Sequence, residues 1–333
     1  MAENKGVMVF GEVVEGRLAA ITTELLGCAR KLADDLGGET SAVLVGSGVG
    51  TLAKEAIAFG ADKVYVVDDP LLKDYQTDSY VAAMEKVTKQ AMPSILLLGQ
   101  TSTGRDLAPR LAFRLGAGLT MDCIQLGISP ETKKLEQIHP VYGGNAQAVF
   151  TSEAALPQIA TVRMKAMSPL ERDDSRQGEV ISIEAGIDPS TLKVKVLERV
   201  KEEVVGVKLE DAEVIVSGGR GIGGEEGFKQ LEELAKVLGG AVGATRPPCD
   251  SGWVPTTWQV GLTGKIVTPD FYLAVALSGS SQHMAGCSGA KNIIAINKDP
   301  EANIFKEAAY GIVADYKQAL PALTKKIQEL LSE

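Results

Sequence analysis

Two short loops, each following an apolar strand-like segment, carry residue types suited to binding a phosphorylated ligand. The first reads Gly-Arg-Gly-Ile-Gly-Gly over residues 219–224 and contains the spacing G-x-G-x-x-G. Glycines in that pattern, between a strand and a helix, let backbone N–H groups approach a pyrophosphate. The second loop, residues 277–283, reads Leu-Ser-Gly-Ser-Ser-Gln-His and offers hydroxyl groups and an imidazole. Because ligands of open α/β sheets bind at the carboxyl ends of strands, the two loops predict one nucleotide site.

The residues alone leave the identity of that nucleotide open. In the dehydrogenase fingerprint, an acid after the next strand binds the ribose 2′-OH of NAD. Residues 243–248 read Gly-Ala-Thr-Arg-Pro-Pro and contain no acid, which argues against NAD. Arg246 would suit the 2′-phosphate of NADP, so an NADP-dependent oxidoreductase is one alternative. A non-redox adenine-nucleotide-binding module is another, and either loop could also be an unliganded turn or helix cap.

Composition excludes several other functions. The net charge of −9 argues against nucleic acid as the main partner, because phosphate backbones need a basic surface. With two histidines and four widely spaced cysteines, a metal site is not expected. No apolar run reaches the roughly 20 residues of a membrane helix, so no membrane insertion is expected. The first residues contain no leader pattern, and we predict a cytoplasmic protein.

The elements that must position these loops follow from the hydrophobic periodicity. Helical spacing of apolar residues over 18–36 and about 51–59 alternates with short apolar runs, which predicts parallel strands joined by crossover helices. A further helix is expected after Gly104, with Pro109 tolerated only in its first turn. Residues 119–165 are expected to add strands to the edge of the sheet. The predicted strands of this part are Gly6–Val13, Ser41–Gly46, Lys63–Asp68 and Ser94–Gly99.

A charged stretch from Ser168 to about residue 205 has the composition of a solvated linker, although residues 179–183 could form a strand. A second α/β alternation begins near Asp211 and ends in an amphipathic helix over about 316–331. We therefore predict an α/β protein of two domains, each a mainly parallel sheet with flanking helices. The expected boundaries are 1–205, including the linker, and 206–333, a Rossmann-like domain that contains both loops.

Longer stretches resemble the alpha subunit of electron transfer flavoproteins. The most specific is Phe-Tyr-Leu-Ala-Val-Ala-Leu-Ser-Gly-Ser-Ser-Gln-His-Met-Ala-Gly over 271–286, followed by Ile-Ile-Ala-Ile-Asn-Lys-Asp over 293–299. In the second domain the resemblance extends to residues 216–221, 259–265 and 310–315. In the first domain it includes residues 104–110 and 118–122, so it covers nearly the whole chain.

The resemblance implies that the second domain binds FAD and that the first contacts a beta subunit in a heterodimer. Such a protein passes electrons singly between acyl-CoA dehydrogenase-type flavoproteins and other redox partners. It is an electron-carrier subunit rather than a stand-alone enzyme, with no catalytic residues of its own. Some members work in electron-bifurcating complexes that oxidise NADH and reduce ferredoxin. The sequence of this chain leaves both a plain electron carrier and a bifurcating complex open.

The resemblance also implies which residues bind FAD. Those along the pyrophosphate and flavin are Arg220, Ser278, Gly279, Ser280, Ser281, Gln282 and His283. Those that reach or pass beside the isoalloxazine are Thr245, Arg246, Val260, Gly261, Leu262 and Thr263. Those at the adenosine half are Asn297, Asp315 and Tyr316. A cation such as Arg246 or a donor such as His283 near the pyrimidine edge would stabilise an anionic flavin.

The chain departs from the usual family pattern at four places within these segments. Leu262 stands where glutamine is usual, and this removes a side-chain amide beside the flavin. Thr245 stands for serine and keeps its hydroxyl, and Ser281 stands for isoleucine or valine. Pro247-Pro248 replaces a pair of small residues and stiffens the turn after Arg246. The contact expected at position 262 and the flavin potential are therefore in doubt.

Overall fold

The computed structural model describes residues 6–142, 146–153, 155–192, 194, 196–198 and 207–331. These residues form two compact units. The first contains the described residues up to 198 except Tyr142, and the second contains Tyr142 and residues 207–331. The domain boundary expected between 205 and 206 lies outside the described residues. Both units are α/β, which confirms the predicted fold class.

The first unit is built on a seven-stranded, wholly parallel sheet. Its strand order is β12-β5-β4-β1-β6-β11-β7. A second sheet of order β10-β9-β8 and the small pair β2-β3 are both antiparallel. The strands are β1 (Val7–Gly11), β2 (Val13–Val14), β3 (Arg17–Leu18), β4 (Thr40–Gly46), β5 (Lys63–Asp68), β6 (Ile95–Gly99), β7 (Ala117–Cys123), β8 (Gln125–Ile128), β9 (Leu135–Val141), β10 (Ala146–Phe150), β11 (Ala155–Val162) and β12 (Glu179–Ser182).

Helices cover both faces of that parallel sheet, so its central strands are buried on both sides and consist almost wholly of apolar residues. On one face Val7 and Val9 pack against α1 and α2, and on the other Met8 and Phe10 pack against α3 and α4. The helices are α1 (Ala20–Leu36), α2 (Ala53–Ala58), α3 (Thr77–Ala91) and α4 (Ser102–Leu115).

Three features of the first unit differ from the sequence prediction. Of the strands expected at the sheet edge over residues 119–165, β8–β10 form their own antiparallel sheet, and only β7 and β11 join the main one. Helix α3 was not predicted. Pro109 lies in the middle of α4 rather than in its first turn. The helix continues through Pro109 because the ring is exposed, while Leu107 and Leu111 on either side of it are fully buried against the sheet.

The second unit contains a five-stranded sheet of order β14-β13-β15-β16-β17, and all of its strands are parallel, as expected for this domain. Its strands are β13 (Val214–Gly218), β14 (Ala241–Ala244), β15 (Phe271–Val275), β16 (Asn292–Asn297) and β17 (Tyr310–Val313). Its helices are α5 (Glu225–Val237), α6 (Arg246–Asp250), α7 (Ser281–Cys287), α8 (Ile304–Glu307) and α9 (Tyr316–Leu331). None of the helices in the described ranges combines the length and apolar character that crossing a membrane requires.

The strand order of the second unit creates a crevice at one edge. The chain leaves β13 toward β14 on one side, whereas β15 lies on the other side. The loops that follow β13 and β15 therefore separate at the carboxyl edge of the sheet, which is where ligands of such sheets bind. Both loops singled out from the sequence begin at this point.

Candidate functional site

A cleft of about 470 Å³ lies at this edge, between the loops that follow β13, β14, β15 and β16. Its size falls in the range of small-ligand sites. No carboxylate is among the side chains that line it, which suits an anionic ligand. The lining residues are Arg220, Gly221, Thr245, Pro247, Ala276, Leu277, Ser278, Gly279, Ser280, His283 and Asn297.

The glycine-rich loop that follows β13 packs closely against the loop that follows β15. The N–H groups of Gly219 and Gly221 donate to the carbonyls of Val275 and Ala276, at 3.0 and 3.1 Å. These two amides are therefore not free for a pyrophosphate, which corrects the sequence interpretation of this motif. A Cβ at Gly219 would lie 2.5 Å from the Ala276 oxygen and from the Leu277 Cβ. Glycine is needed because the two loops touch at backbone distance.

The loop after β15 supplies the free donors instead. Within the described part of the chain, the amides of Ser278, Gly279 and Ser280 donate no hydrogen bond, and both serine side chains are exposed. Gly279 has φ +74°, and a Cβ there would lie 2.5 Å from the amide nitrogen of Ile304. Amides and hydroxyls held at a strand end in this way can bind phosphate oxygens.

Ala276 adopts a left-handed backbone conformation in this arrangement, since its φ is +50°. The left-handed conformation costs an L-residue roughly 1–2 kcal/mol, and glycine adopts it freely. We expect Ala276→Gly to raise the free energy of unfolding of the second unit by about 1 kcal/mol, measured by urea denaturation. Ala274→Gly, in the buried interior of β15, is the matched control and is expected to be destabilising. A loss of stability in Ala276→Gly would contradict the prediction.

The two arginines expected at the site are placed differently. Arg220 lines the cleft, is exposed, and makes no ion pair with a described residue. Arg246 begins α6 and lies outside the cleft lining, with its Nε donating to the Asp250 carboxylate at 3.0 Å. That pair is exposed, so its contribution to stability is small. Arg220 is therefore the cation that faces the cleft.

The segment 259–265 lies beside the cleft and packs on α7. The amide of Val260 donates to the carbonyl of Ala244, and that of Leu262 donates to Gln282. Gly261 and Gly286 are in backbone contact, because a Cβ on Gly286 would lie 2.3 Å from the Gly261 nitrogen. This packing leaves the side chain of Leu262 56% exposed.

His283 is buried beneath the loop that precedes it. Its Nδ1 lies 3.0 Å from the carbonyl oxygen of Val260, and its Nε2 lies 3.0 Å from the hydroxyl of Tyr272. Burial lowers the pKa of His283 to about 4. The ring is therefore neutral at physiological pH, and both nitrogens already have partners.

The residues expected at the adenosine half hold neighbouring loops in place. The Asn297 amide donates to the Leu277 carbonyl at 2.8 Å and accepts from the amide of Asp299. The Asp315 carboxylate accepts from the amide of Lys317 in the first turn of α9. The Tyr316 hydroxyl is buried and donates to the Ile222 carbonyl at 2.7 Å.

The cleft brings together seven of the expected residues and omits nine. Those that line it are Arg220, Thr245, Ser278, Gly279, Ser280, His283 and Asn297. Those that lie on surrounding elements are Arg246, Val260, Gly261, Leu262, Thr263, Ser281, Gln282, Asp315 and Tyr316. Four further residues line the cleft: Gly221, Pro247, Ala276 and Leu277. Gly221 belongs to the glycine pattern singled out in the sequence, and the only signal for the other three was their position in or beside the same loops as assigned residues.

A larger groove, of about 640 Å³, lies between α3 and α4 in the first unit. The two arginines that line it are already engaged: Arg110 lies 3.5 Å from Asp78, and Arg114 lies 2.7 Å from Glu85. The groove lies between helices, not at strand ends. Elsewhere in the described ranges, no three His, Cys, Asp or Glu side chains group as metal ligands. The cleft of the second unit is therefore the candidate site.

Comparison with protein families gives two matches that together span most of the chain. Residues 7–188 match the electron transfer flavoprotein domain, and residues 208–288 match the electron transfer flavoprotein FAD-binding domain. The second match contains most of the cleft lining.

Three curated relatives illustrate the range of similar proteins. The electron transfer flavoprotein subunit alpha of Thermoanaerobacterium thermosaccharolyticum is 48% identical, over 99% of this chain and all of that protein. Protein FixB of Clostridium saccharobutylicum is 42% identical, over 100% of this chain and 99% of that protein. The subunit LctC of lactate dehydrogenase (NAD(+),ferredoxin) from Acetobacterium woodii is 37% identical, over 97% of this chain and 77% of that protein.

Proposed function

The chain belongs to the electron transfer flavoprotein alpha-subunit family, and from this we propose that it is the FAD-holding subunit of a heterodimeric electron carrier. The resemblance recognised in its sequence is thereby confirmed, and its cofactor is FAD. When bound, FAD supplies the redox chemistry. The protein's own residues bind it, orient it and exclude water. We propose a beta subunit as the partner of the first unit, acyl-CoA dehydrogenase-type flavoproteins as electron donors, and the cytoplasm as the location.

One observation supports the proposal most directly. The cleft contains backbone amides that donate no hydrogen bond to a described residue, and no carboxylate side chain is among its lining residues. The free amides of Ser278, Gly279 and Ser280 face the same space as the guanidinium of Arg220. Charge-assisted hydrogen bonds of this kind bind phosphate oxygens strongly. The residues present therefore fit the pyrophosphate of FAD, and the adjoining segment 259–265 offers an exposed Leu262 for the isoalloxazine. The four described cysteines are all buried free thiols, which supports a reducing compartment.

We propose that the other residues expected to bind FAD lie around Arg220 and the amides of Ser278–Ser280. Thr245, Arg246 and the segment Val260–Thr263 would lie beside the isoalloxazine. The Nε of Arg246 is engaged by Asp250, so its outer nitrogens would make the contact. Ser281 and Gln282 begin α7 beside the pyrophosphate. Because Asn297, Asp315 and Tyr316 use their side chains within the protein, they would shape the adenosine end through the loops they hold.

A second candidate function is electron bifurcation between NADH and ferredoxin. It is favoured by the 37% identity to a subunit whose name includes NAD(+) and ferredoxin. Counting flavins per reconstituted heterodimer separates the two, because a plain carrier is expected to hold one FAD and a bifurcating complex two. A heterodimer without any flavin absorption would contradict both and favour a non-redox nucleotide-binding module, and retention of NADP instead of flavin would favour an NADP-dependent oxidoreductase.

Arg220 provides a direct test of the cleft. We expect Arg220→Gln to weaken FAD binding by about 10- to 100-fold at low salt, because a hydrogen bond to a charged group is lost. The salt dependence of the dissociation constant should also flatten, since one screened charge is removed. Fluorescence titration of the flavin-free heterodimer measures both. Arg105→Gln, at an exposed position of the first unit, is the matched control. Equal FAD affinities in Arg220→Gln and Arg105→Gln would contradict the placement of the pyrophosphate beside Arg220.

A further inference from the structure

The turn that contains Arg220 is held by a tyrosine of the last helix in the second unit. Residues Arg220–Ile222 form a single turn of 3₁₀ helix between β13 and α5. Tyr316, the first residue of α9, has 6% of its surface exposed and packs in the same hydrophobic cluster as Ile222. Its hydroxyl donates to the Ile222 carbonyl at 2.7 Å. This hydrogen bond therefore joins two elements that lie 94 residues apart in the chain.

The hydrogen bond between Tyr316 and Ile222 has one possible direction. A backbone carbonyl oxygen only accepts hydrogen bonds, so the tyrosine hydroxyl is the donor. Because both residues are buried, a hydroxyl that lost this acceptor would be left without a partner, which costs free energy. The contact is therefore a stable part of the second unit and does not depend on a bound ligand.

The Arg220–Ile222 turn is attached to the protein at its two ends in different ways. At its start, the amides of Gly219 and Gly221 donate to carbonyls at the end of β15 and just after it. At its end, the chain enters α5 through Gly223 and Gly224, whose φ angles are +86° and +158°. Two successive glycines allow the backbone many conformations, so they do not fix the turn by themselves. The hydroxyl of Tyr316 supplies the attachment at this end.

We propose that Tyr316 is a positioning residue for the cofactor site: its hydroxyl holds the Arg220–Ile222 turn and thereby fixes where Arg220 enters the cleft before FAD binds. The guanidinium makes no ion pair with a described residue, so the backbone of the turn determines where the side chain starts. The proposal rests on the proposed function, in that the ligand met by Arg220 is the pyrophosphate of FAD. The side chain of Tyr316, expected at the adenosine half, thus acts on the phosphate-binding part of the cleft.

The first test is Tyr316→Phe, which keeps the buried ring and removes the hydroxyl. In titrations of the flavin-free heterodimer, the dissociation constant of FAD should rise about fivefold. Its salt dependence should flatten toward that of Arg220→Gln, because the guanidinium no longer meets the pyrophosphate closely. Tyr80→Phe is the matched control, since it removes a buried hydroxyl that donates to the Leu72 carbonyl in the first unit. Wild-type affinity and salt dependence in Tyr316→Phe would overturn the proposal.

The second test separates positioning of Arg220 from a general loss of stability. If the hydroxyl acts through Arg220, Tyr316→Phe should raise the dissociation constant of FAD by less than about twofold when Arg220 is already replaced by glutamine. Losses of affinity that add fully in the double variant would show that the hydroxyl acts independently of the guanidinium, and they would overturn the proposal.

A third test displaces the same contact from α5. A Cβ at Gly227 would lie 2.5 Å from the Ile222 Cγ2 and 2.8 Å from the Tyr316 hydroxyl, so Gly227→Ala must push the two groups apart. We expect this variant to weaken FAD binding about as much as Tyr316→Phe does, without adding to it, and circular dichroism would establish that it is folded. Wild-type affinity in folded Gly227→Ala would contradict the proposal. If wild-type heterodimer bound no FAD, the proposed function itself would fail, a result distinct from a wild type that binds FAD alongside unaffected variants.

Discussion

Replacing Gly219 with alanine is expected to weaken FAD binding by about 100-fold. The added Cβ would lie 2.5 Å from the oxygen of Ala276 and from the Leu277 Cβ, so the two loops must separate. Overpacking of this kind costs about 1–3 kcal/mol, and each 1.4 kcal/mol corresponds to a tenfold change in affinity. The separation moves the free amides of the Ser278–Ser280 loop away from Arg220. Titration of flavin-free heterodimer with FAD measures the loss.

The matched control is Gly50→Ala, in the first unit. A Cβ there would meet its nearest neighbour, the Asp68 carboxylate, at 3.7 Å, which is an ordinary contact. We expect this variant to bind FAD as the wild type does. Circular dichroism would establish that Gly219→Ala remains folded during the titration. Wild-type affinity in folded Gly219→Ala would show that the contact between the loops does not shape the binding site.

The stability of the first unit is expected to fall as the pH rises from about 4.5 to 7, because of Glu12. Its carboxyl is buried at the end of β1 and accepts a hydrogen bond from the Thr101 hydroxyl at 2.7 Å. Burial raises its pKa from 4.5 to about 7. Below pH 4.5 both folded and unfolded states are protonated, so stability is fully present. Between pH 4.5 and 7 only the folded state keeps its proton, and about 3 kcal/mol of stability is lost.

Glu12→Gln should remove this dependence. The amide oxygen can still accept from Thr101, and the side chain no longer ionises. We expect the variant to match the wild type near pH 4 and to exceed it by about 3 kcal/mol at pH 8. Hydrogen exchange of the β1 amides over this pH range reports on the first unit alone. Glu131→Gln, at an exposed turn, is the control and should keep the wild-type profile. A Glu12→Gln profile parallel to the wild type would place the pH dependence in another group.

Much of the architecture is determined by local patterns in the sequence. The runs that became β1 and β6 are apolar throughout, and those that became β4 and β5 are apolar except at their ends, which is the pattern of strands covered on both faces. Helix α3 and the separate sheet β8–β10 were not predicted from the sequence. The position of Pro109 was not predicted either, because burial of neighbouring residues outweighs the single hydrogen bond that proline removes.

At the candidate site, the sequence by itself determined which loops border the cleft, because strand ends and glycine spacing are local features. The tertiary structure alone decided what each group does there. Gly219 packs against Leu277, His283 meets Tyr272 and Val260, and Tyr316 reaches Ile222. These partners are distant in the chain, so no local pattern could identify them. The role of a hydrogen-bond donor depends on which acceptor the fold brings within about 3 Å. Leaving a buried polar group without a partner costs more free energy than the hydrogen bond contributes when it is formed.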